Sequence, residues 1–272
     1  MRGQEMTDEV NTLYIGGGTP SVLPLSVFER LMKALKDSGH GGPFDEFTVE
    51  VNPEDIVENG EAYVEGLLDL GVNRISMGIQ TFNDATLRIL NRRHTAQEAC
   101  QAVNRLRKKG FGNISIDLIY GLPGEDLKQW EANLQQAIAL NVEHISAYHL
   151  TYEEGTPLYR MLQKGLVSEV SEEHSLMCFN TLIDTLQQAG FQHYEISNFC
   201  KPGKHSRQRT SHGISFEEVA ERFGQSFATS CKKSATPHLE SGKLITEENR
   251  IKLSREGIFV SDAIICDLMV LT

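Results

Sequence analysis

The chain has 272 residues, 26 Lys and Arg against 37 Asp and Glu for a formal charge of -11, and 40% hydrophobic and 23% charged residues. That length fits one large domain, or a medium domain with a small appendage, and the composition is that of a globular chain, which excludes wholesale disorder. A pI near 5.3 provides no basic field to gather a phosphate backbone, so nucleic acid is not expected as a partner.

Residues 209–272 carry 8 Lys and Arg against 9 Asp and Glu, so the acidic excess belongs to the first 208 residues. No stretch approaches the ~18 uninterrupted apolar residues of a membrane span. The most apolar tail, Ile258 to Leu271, is broken by Asp262 and Asp267. The opening MRGQEMTDEVN lacks the apolar core of a secretory signal, so the expectation is a cytoplasmic protein with no integral membrane segment. Five cysteines, at 100, 178, 200, 231 and 266, form no CxxC or CxxxC pair; they read as small apolar residues of a reduced protein and define no metal site.

Short β-type runs alternate with stretches of helical period. Strands are expected at Thr12 to Ile15, Glu46 to Val51, Arg74 to Gln80, Asn113 to Tyr120, His144 to Leu150 and Tyr194 to Ser197. Helices are expected at Leu25 to Ser38, Glu61 to Leu70, Asn83 to Leu90, Ala96 to Lys109, Asp126 to Leu140 and Glu172 to Ala189. Strands separated by helices pair in parallel through right-handed crossovers, either as an open doubly wound sheet or as a barrel.

Alternation within the strands favours the barrel. Parallel strands covered by helices on both faces read as near-continuous Val, Ile and Leu. Here one face carries Phe47, Val49, Val51, Ile75, Met77, Ile79, Ile114, Ile116 and Leu118, and the other carries Thr48, Glu50, Asn52, Ser76, Gly78, Gln80, Ser115 and Asp117. A part-barrel with helices outside and a polar interior explains this, the interior holding either a polar ligand or satisfied polar groups and water.

From Lys201 to Gly213 the composition turns to KPGKHSRQRTSHG, a linker. Ser215 and Glu218 have capping-box spacing and open a helix; a second helical run, a hairpin of KLIT and RIKLS around EEN, and a last apolar helix follow. The expected organisation is a partial barrel over residues 1–200, a junction over 201–213, and a small helix-rich, winged-helix-like module over 214–272.

Strand NTLYI runs into Gly16-Gly17-Gly18-Thr19-Pro20, where successive glycines let a ligand lie against bare backbone, or simply make a tight turn. The run has neither the GK[ST] ending of a P-loop nor GxGxxG spacing. Glu50, Gln80 and Asp117 lie on the polar strand face, where they can accept hydrogen bonds from ribose hydroxyls. Arg92, in LNRRHT, is placed either to meet a ligand carboxylate with two parallel bonds or to stand as a solvated helix-end cation. His94 of the same run reads as structural.

The blocks IGGGTPSVL, FTVEVNPEDI, GVNRISMGIQTFNDATLRILNRRHT, ISIDLIYGLPGE and HYEISNFCKPG resemble those of the radical S-adenosylmethionine proteins related to oxygen-independent coproporphyrinogen III oxidase. NRRHT and YEISNF are more similar to the heme chaperone branch of that family. The resemblance covers Asn11 to Gly203, and RTSHGISFEEV through GIFVSDAIICDL is similar to the family's small C-terminal domain.

This resemblance implies an α/β fold, a (β/α)6 TIM-like part-barrel with S-adenosylmethionine inside, its amino group near Gly17, Gly18 and Thr19, and Glu50, Gln80, Arg92 and Asp117 lining the pocket. In such enzymes a [4Fe-4S] cluster on three cysteines passes an electron to the sulfonium and releases a 5′-deoxyadenosyl radical. The family's CxxxCxxC loop precedes the region present here, and about a hundred residues of the family's pattern are missing near Gln208, so the cluster ligands are expected to be absent and no catalytic residue is assigned. The resemblance implies a protein of heme or porphyrin metabolism, inactive in radical chemistry as it stands, with S-adenosylmethionine, heme or porphyrin and a heme-acceptor protein as partners. A non-enzymatic heme-binding or heme-transfer protein and a non-functional gene remnant are the alternatives.

Overall fold

In the computed structural model, residues 10–207, 213–247 and 249–268 are described. The chain divides into two compact units, residues 1–209 and 210–272.

The first unit is built on a curled seven-stranded sheet. Its strands are β1 (Thr12–Ile15), β2 (Glu46–Val51), β3 (Arg74–Gln80), β4 (Ile114–Tyr120), β5 (His144–His149), β6 (Gln192–Glu195) and β7 (Asn198–Cys200), in the spatial order β1-β2-β3-β4-β5-β7-β6. The first five are parallel and in sequence order. Helices α1 (Leu25–Asp37), α2 (Pro53–Asp69), α3 (Asp84–Ile89), α4 (Ala96–Lys109), α5 (Leu127–Ala139), α6 (Pro157–Gln163) and α7 (Glu172–Gln188) occupy the connections. This is the expected α/β half-barrel, open between β1 and β6.

The apolar strand face is the core. Phe47, Val49, Ile75, Met77, Ile79, Ile114, Ile116 and Leu118 are fully buried, together with Ile56, Leu67, Leu106, Trp130 and Leu134 from the helices. Each such side chain contributes roughly 1.5–3 kcal/mol, so this layer supplies the main driving force for the sheet. Helix ends follow local chemistry: Thr95 with Glu98, and Asp126 with Gln129, close capping boxes at α4 and α5.

The structure differs from the sequence reading at several places. Helix α2 begins at Pro53, eight residues before the expected start at Glu61, because Pro at its first position with Glu54 and Asp55 in the first turn nucleates a helical segment. It then breaks at Gly60, where φ is 76°. The single strand expected at Tyr194–Ser197 is two short strands, β6 and β7, and β7 runs antiparallel to β5, so the βα series ends in a hairpin. Helix α6 was not expected; its signal is Pro157 after Thr156, whose hydroxyl accepts the Tyr159 amide at 3.1 Å.

Residues 201–207, expected to be linker, are fastened beneath the N-terminal ends of the strands. Arg74 donates to the Lys204 carbonyl at 3.3 Å, and Ser206 Oγ and the Arg207 amide both donate to Glu46 Oε1, at 3.0 and 3.2 Å. The remainder of the proposed junction, residues 208–212, lies outside the described residues.

The second unit contains α8 (Phe216–Phe223), α9 (Gln225–Glu240), the hairpin β8 (Leu244–Glu247) and β9 (Arg250–Leu253), α10 (Arg255–Ile258) and α11 (Ser261–Leu268). Its core gathers Ala235, Leu244, Ile251 and Ile264. The end of the expected last apolar helix, residues 269–271, lies outside the described residues. Among the described residues no helix is long and apolar enough to cross a membrane.

Candidate functional site

The C-terminal ends of β1 to β4 carry the seven residues singled out from the sequence, the end at which barrel enzymes build their sites. Gly17, Gly18 and Thr19 follow β1, Glu50 is the fifth residue of β2, Gln80 ends β3, Arg92 follows α3, and Asp117 lies mid-β4 opposite Gly78.

Glu50 ties the first two segments together. Its Oε2 accepts the Gly17 amide at 2.9 Å, and its Oε1 accepts the Tyr14 hydroxyl. A Cβ at Gly16 would fall 2.3 Å from the Tyr14 ring and 2.8 Å from the Glu50 carboxyl, so only glycine lets the loop pass over this pair. Gly17 and Gly18 have φ of 87° and 65°, and a Cβ on either would meet nothing within 4 Å. Their role is therefore conformational, and it leaves an open stretch of backbone beside a carboxylate. Thr19 is half-buried and starts the 3-10 turn Pro20–Val22.

Gln80 and Arg92 converge on Gly78. A methyl there would come within 2.8 Å of Gln80 Nε2 and 3.1 Å of Arg92 Nη2. The β3–β4 register shifts between Gly78 and Gln80, and Gln80 sits in the left-handed region with φ 69°, a conformation costing a non-glycine residue roughly 1–2 kcal/mol. Arg92 is not a solvated helix-end cation. Its Nη2 donates to Asn52 Oδ1 and to the Gly78 carbonyl, each at 2.8 Å, while its Nε is buried with no hydrogen-bond partner among the described residues. Burial lowers the Arg92 pKa, and the negative charge of Glu54 partly opposes that. A buried guanidinium donor without an acceptor is costly and so calls for a physical reason. Asp117 Oδ2 lies 3.5 Å from Ser76 Oγ.

Sequence reasoning missed the groups that hold these residues in place. Tyr14 shares the strand parity of Thr12, which was signal enough to find it. The contact of Asn52 with Arg92, and the buried set of Glu54, Asp55 and His94 behind it, join residues some 40 positions apart and carry no local signature.

A cavity of about 450 Å³ opens at the opposite ends of the strands, beside Asp45, Asn73, Asn113, Lys204, His205 and Arg207. Its lining mixes acidic and basic side chains and includes Gly110, Gly112 and Gly203, and none of the seven residues singled out from the sequence faces it.

A half-barrel of mostly parallel strands, with a glycine loop after the first and polar side chains toward the C-terminal ends, defines an α/β protein of the part-barrel class. The family is then fixed by comparison: residues 2–137 match the model of the Radical SAM superfamily and residues 207–260 that of the HemN C-terminal domain, and the chain belongs to the radical SAM superfamily. The chain is 38% identical over 217 residues to the heme chaperone HemW of Lactococcus lactis, covering 80% of this chain and 55% of that protein. It is 35% identical over 220 residues to the heme chaperone HemW of Bacillus subtilis, covering 79% and 55%. The chain thus spans about half the length of the curated relatives it matches. Coproporphyrinogen III oxidase (HemN) from Escherichia coli, a radical SAM enzyme, shares the fold with a TM-score of 0.75 at 20% identity, over 96% of this chain and 78% of that one.

Proposed function

We propose that the cleft at the C-terminal ends of β1 to β4 binds S-adenosylmethionine, in a protein of heme or porphyrin metabolism. The carrying observation is the pairing of an open glycine backbone at Gly17 and Gly18, tied to the Glu50 carboxylate at 2.9 Å, with the orphaned Nε of Arg92. The residues fit the ligand by charge. Glu50 and the carbonyls of the glycine loop suit the ammonium end, the Arg92 Nε suits the carboxylate, and Gln80 and Asp117 suit ribose hydroxyls. Each role is a binding role; none is an acid, base or nucleophile.

A [4Fe-4S] cluster supplies the electron for radical chemistry when it is bound. Among the described residues no three His, Cys, Asp or Glu side chains come together as metal ligands. What this part of the chain does is bind and orient. The interruption of the family's pattern near Gln208 is, in this reading, an internal deletion joining a partial barrel to its C-terminal module.

Isothermal calorimetry with S-adenosylmethionine tests the pocket. Binding by the parent that falls roughly tenfold in Asp117→Ala and in Glu50→Ala supports it; equal binding by all three rules it out. A second reading, heme binding or transfer to an acceptor protein, is favoured by the likeness to heme chaperones. A heme titration with no Soret shift at micromolar protein counts against it.

A further inference from the structure

Behind the cleft lies a buried polar cluster that joins the segments bearing the site residues other than Asp117. Glu54 and Asp55, in the first turn of α2, are each 4% exposed, and His94 is 2% exposed. His94 Nε2 lies 3.1 Å from the carbonyl of Ile79 and Nδ1 lies 3.2 Å from Glu54 Oε2. Arg93 donates through Nε to Glu54 Oε1 and through Nη2 to Asp55 Oδ1, both at 3.1 Å. Asp55 in turn accepts the hydroxyl of Ser21, whose oxygen takes the Asn52 amide at 3.1 Å. The glycine loop, the ends of β2 and β3, and the Arg92 loop are thereby fastened to one helix start.

Two members of the cluster are candidates for holding the cleft, and burial separates them. The Arg93 side chain is 59% exposed, and ion pairs at such positions contribute little. The His94 side chain is wholly buried, so each of its hydrogen bonds is costly to lose. The Ile79 carbonyl can only accept, so Nε2 carries a hydrogen. Burial raises the Glu54 carboxyl, but the His94 hydrogen bond, a main-chain amide and the charges of His94 and Arg93 outweigh it, and the net direction is down. His94 thus spans two acceptors, the Ile79 carbonyl and the Glu54 carboxyl, one at each ring nitrogen.

The peptide that His94 grips is the one leading into Gln80, the residue held at φ 69°. Strained backbone persists only where its surroundings over-determine it. On the far side of the same turn, Asn133 Oδ1 accepts the Phe82 amide at 2.9 Å and the Thr81 hydroxyl at 3.2 Å. The Gln80 turn is pinned on both flanks, and His94 is also two residues from Arg92.

We infer that His94 is a positioning residue: by bridging Glu54 to the Ile79 carbonyl it holds Gln80 in its left-handed conformation and fixes the loop that presents Arg92. The inference rests on the reading of the cleft as an S-adenosylmethionine site, and its test separates the two. His94→Phe keeps the ring's bulk and loses both nitrogens; His94→Gln keeps an amide able to donate to the Ile79 carbonyl. Calorimetry with S-adenosylmethionine on the parent, these two variants, Gln80→Ala and the double variant His94→Phe/Gln80→Ala gives a cycle. The expected result is a loss of roughly tenfold or more in His94→Phe, partial recovery in His94→Gln, and no further loss when His94→Phe is added to Gln80→Ala. Unchanged affinity in a folded His94→Phe, or losses that simply add, overturns the inference while leaving the pocket reading intact.

If the parent takes up no S-adenosylmethionine, the pocket reading falls, and the positioning role is decided by NMR. The Gln80 side-chain amide must then shift in His94→Phe and return part of the way toward the parent position in His94→Gln. An unmoved Gln80 signal in a folded His94→Phe overturns it. If His94→Phe does not fold, Glu54→Gln replaces it in the same cycle with the same expected non-additivity.

Discussion

The amide of Gly17 donates to Glu50 Oε2 at 2.9 Å, so that a carboxylate on the second strand sets the course of the loop leaving the first. Its other oxygen takes the Tyr14 hydroxyl. Glu50→Gln can turn its amide oxygen to the Gly17 amide and donate its NH2 to the Tyr14 oxygen, so both contacts persist in weaker, neutral form. The expected outcome is a fold retained at a cost of about 1–2 kcal/mol, with weaker S-adenosylmethionine binding because the negative charge is gone. Tyr14→Phe removes one donor and leaves the carboxylate charged, so it should bind more nearly like the parent. Thermal melting and calorimetry on the pair separate the charge from the hydrogen bond.

Gln80 offers a case in which stability and binding should move in opposite directions. Its left-handed backbone, at φ 69°, costs roughly 1–2 kcal/mol, and glycine pays about 0.5–1 kcal/mol in unfolded-state freedom for removing that strain. Gln80→Gly is therefore expected to fold as stably as the parent or up to about 1 kcal/mol more so, while losing affinity for S-adenosylmethionine. Chemical denaturation and calorimetry on the same preparation check it; a clear loss of stability would show that the side chain, rather than the backbone, decides the energetics of the turn.

The parts of this site that the sequence made legible are those carried by short periods. Alternation along FTVEVN, RISMGIQ and ISIDLIY separated the core-facing Val49, Ile75 and Ile116 from Glu50, Gln80 and Asp117, because strand parity is local. Parity says nothing of φ, so the left-handed turn at Gln80 was invisible, and so were the contacts of Arg92 with Asn52 and of His94 with Glu54, which span 40 residues. The antiparallel return of β7 was missed for the related reason that a three-residue strand, Asn198–Cys200, is too short to display any period.

Glu125, just after β4, should make stability depend on pH. It is 8% exposed, its Oε1 accepts Asn133 Nδ2 at 3.1 Å, and its Oε2 has no hydrogen-bond partner among the described residues. Burial pushes its carboxyl up to about 7, against the pull of the nearby Leu122 and Gly121 amides and of Asn133. Below about pH 4.5 both folded and unfolded chains hold this proton, and Glu125 costs nothing. As pH rises toward 7 the unfolded chain releases the proton first, so stability falls through that window and levels off above it. The loss is on the order of 3 kcal/mol. Glu125→Gln, which cannot ionise, should match the parent at pH 4 and exceed it at pH 8; denaturant midpoints at the two values measure the difference.

At the other end of the strands, Glu46 and Arg74 are buried at 4% and 2% exposure with their charged atoms 3.8 Å apart. Arg74 also donates to Asn113 Oδ1 at 3.2 Å and to the Lys204 carbonyl at 3.3 Å, while Glu46 takes Ser206 and Arg207. Glu46→Ala takes the carboxylate away from the buried Arg74 charge and removes the acceptor of the Ser206 hydroxyl and the Arg207 amide. The expected cost is about 3–5 kcal/mol, with faster hydrogen exchange at the Ser206 and Arg207 amides. The double change Glu46→Met/Arg74→Met removes both charges and fills the space with apolar side chains, so it should recover much of the melting temperature lost in Glu46→Ala. It should not restore slow exchange at Arg207, because the carboxylate that accepts that amide is gone. A double variant that melts as low as Glu46→Ala would instead assign the stability to the hydrogen bonds on Ser206 and Arg207 rather than to the uncompensated charge.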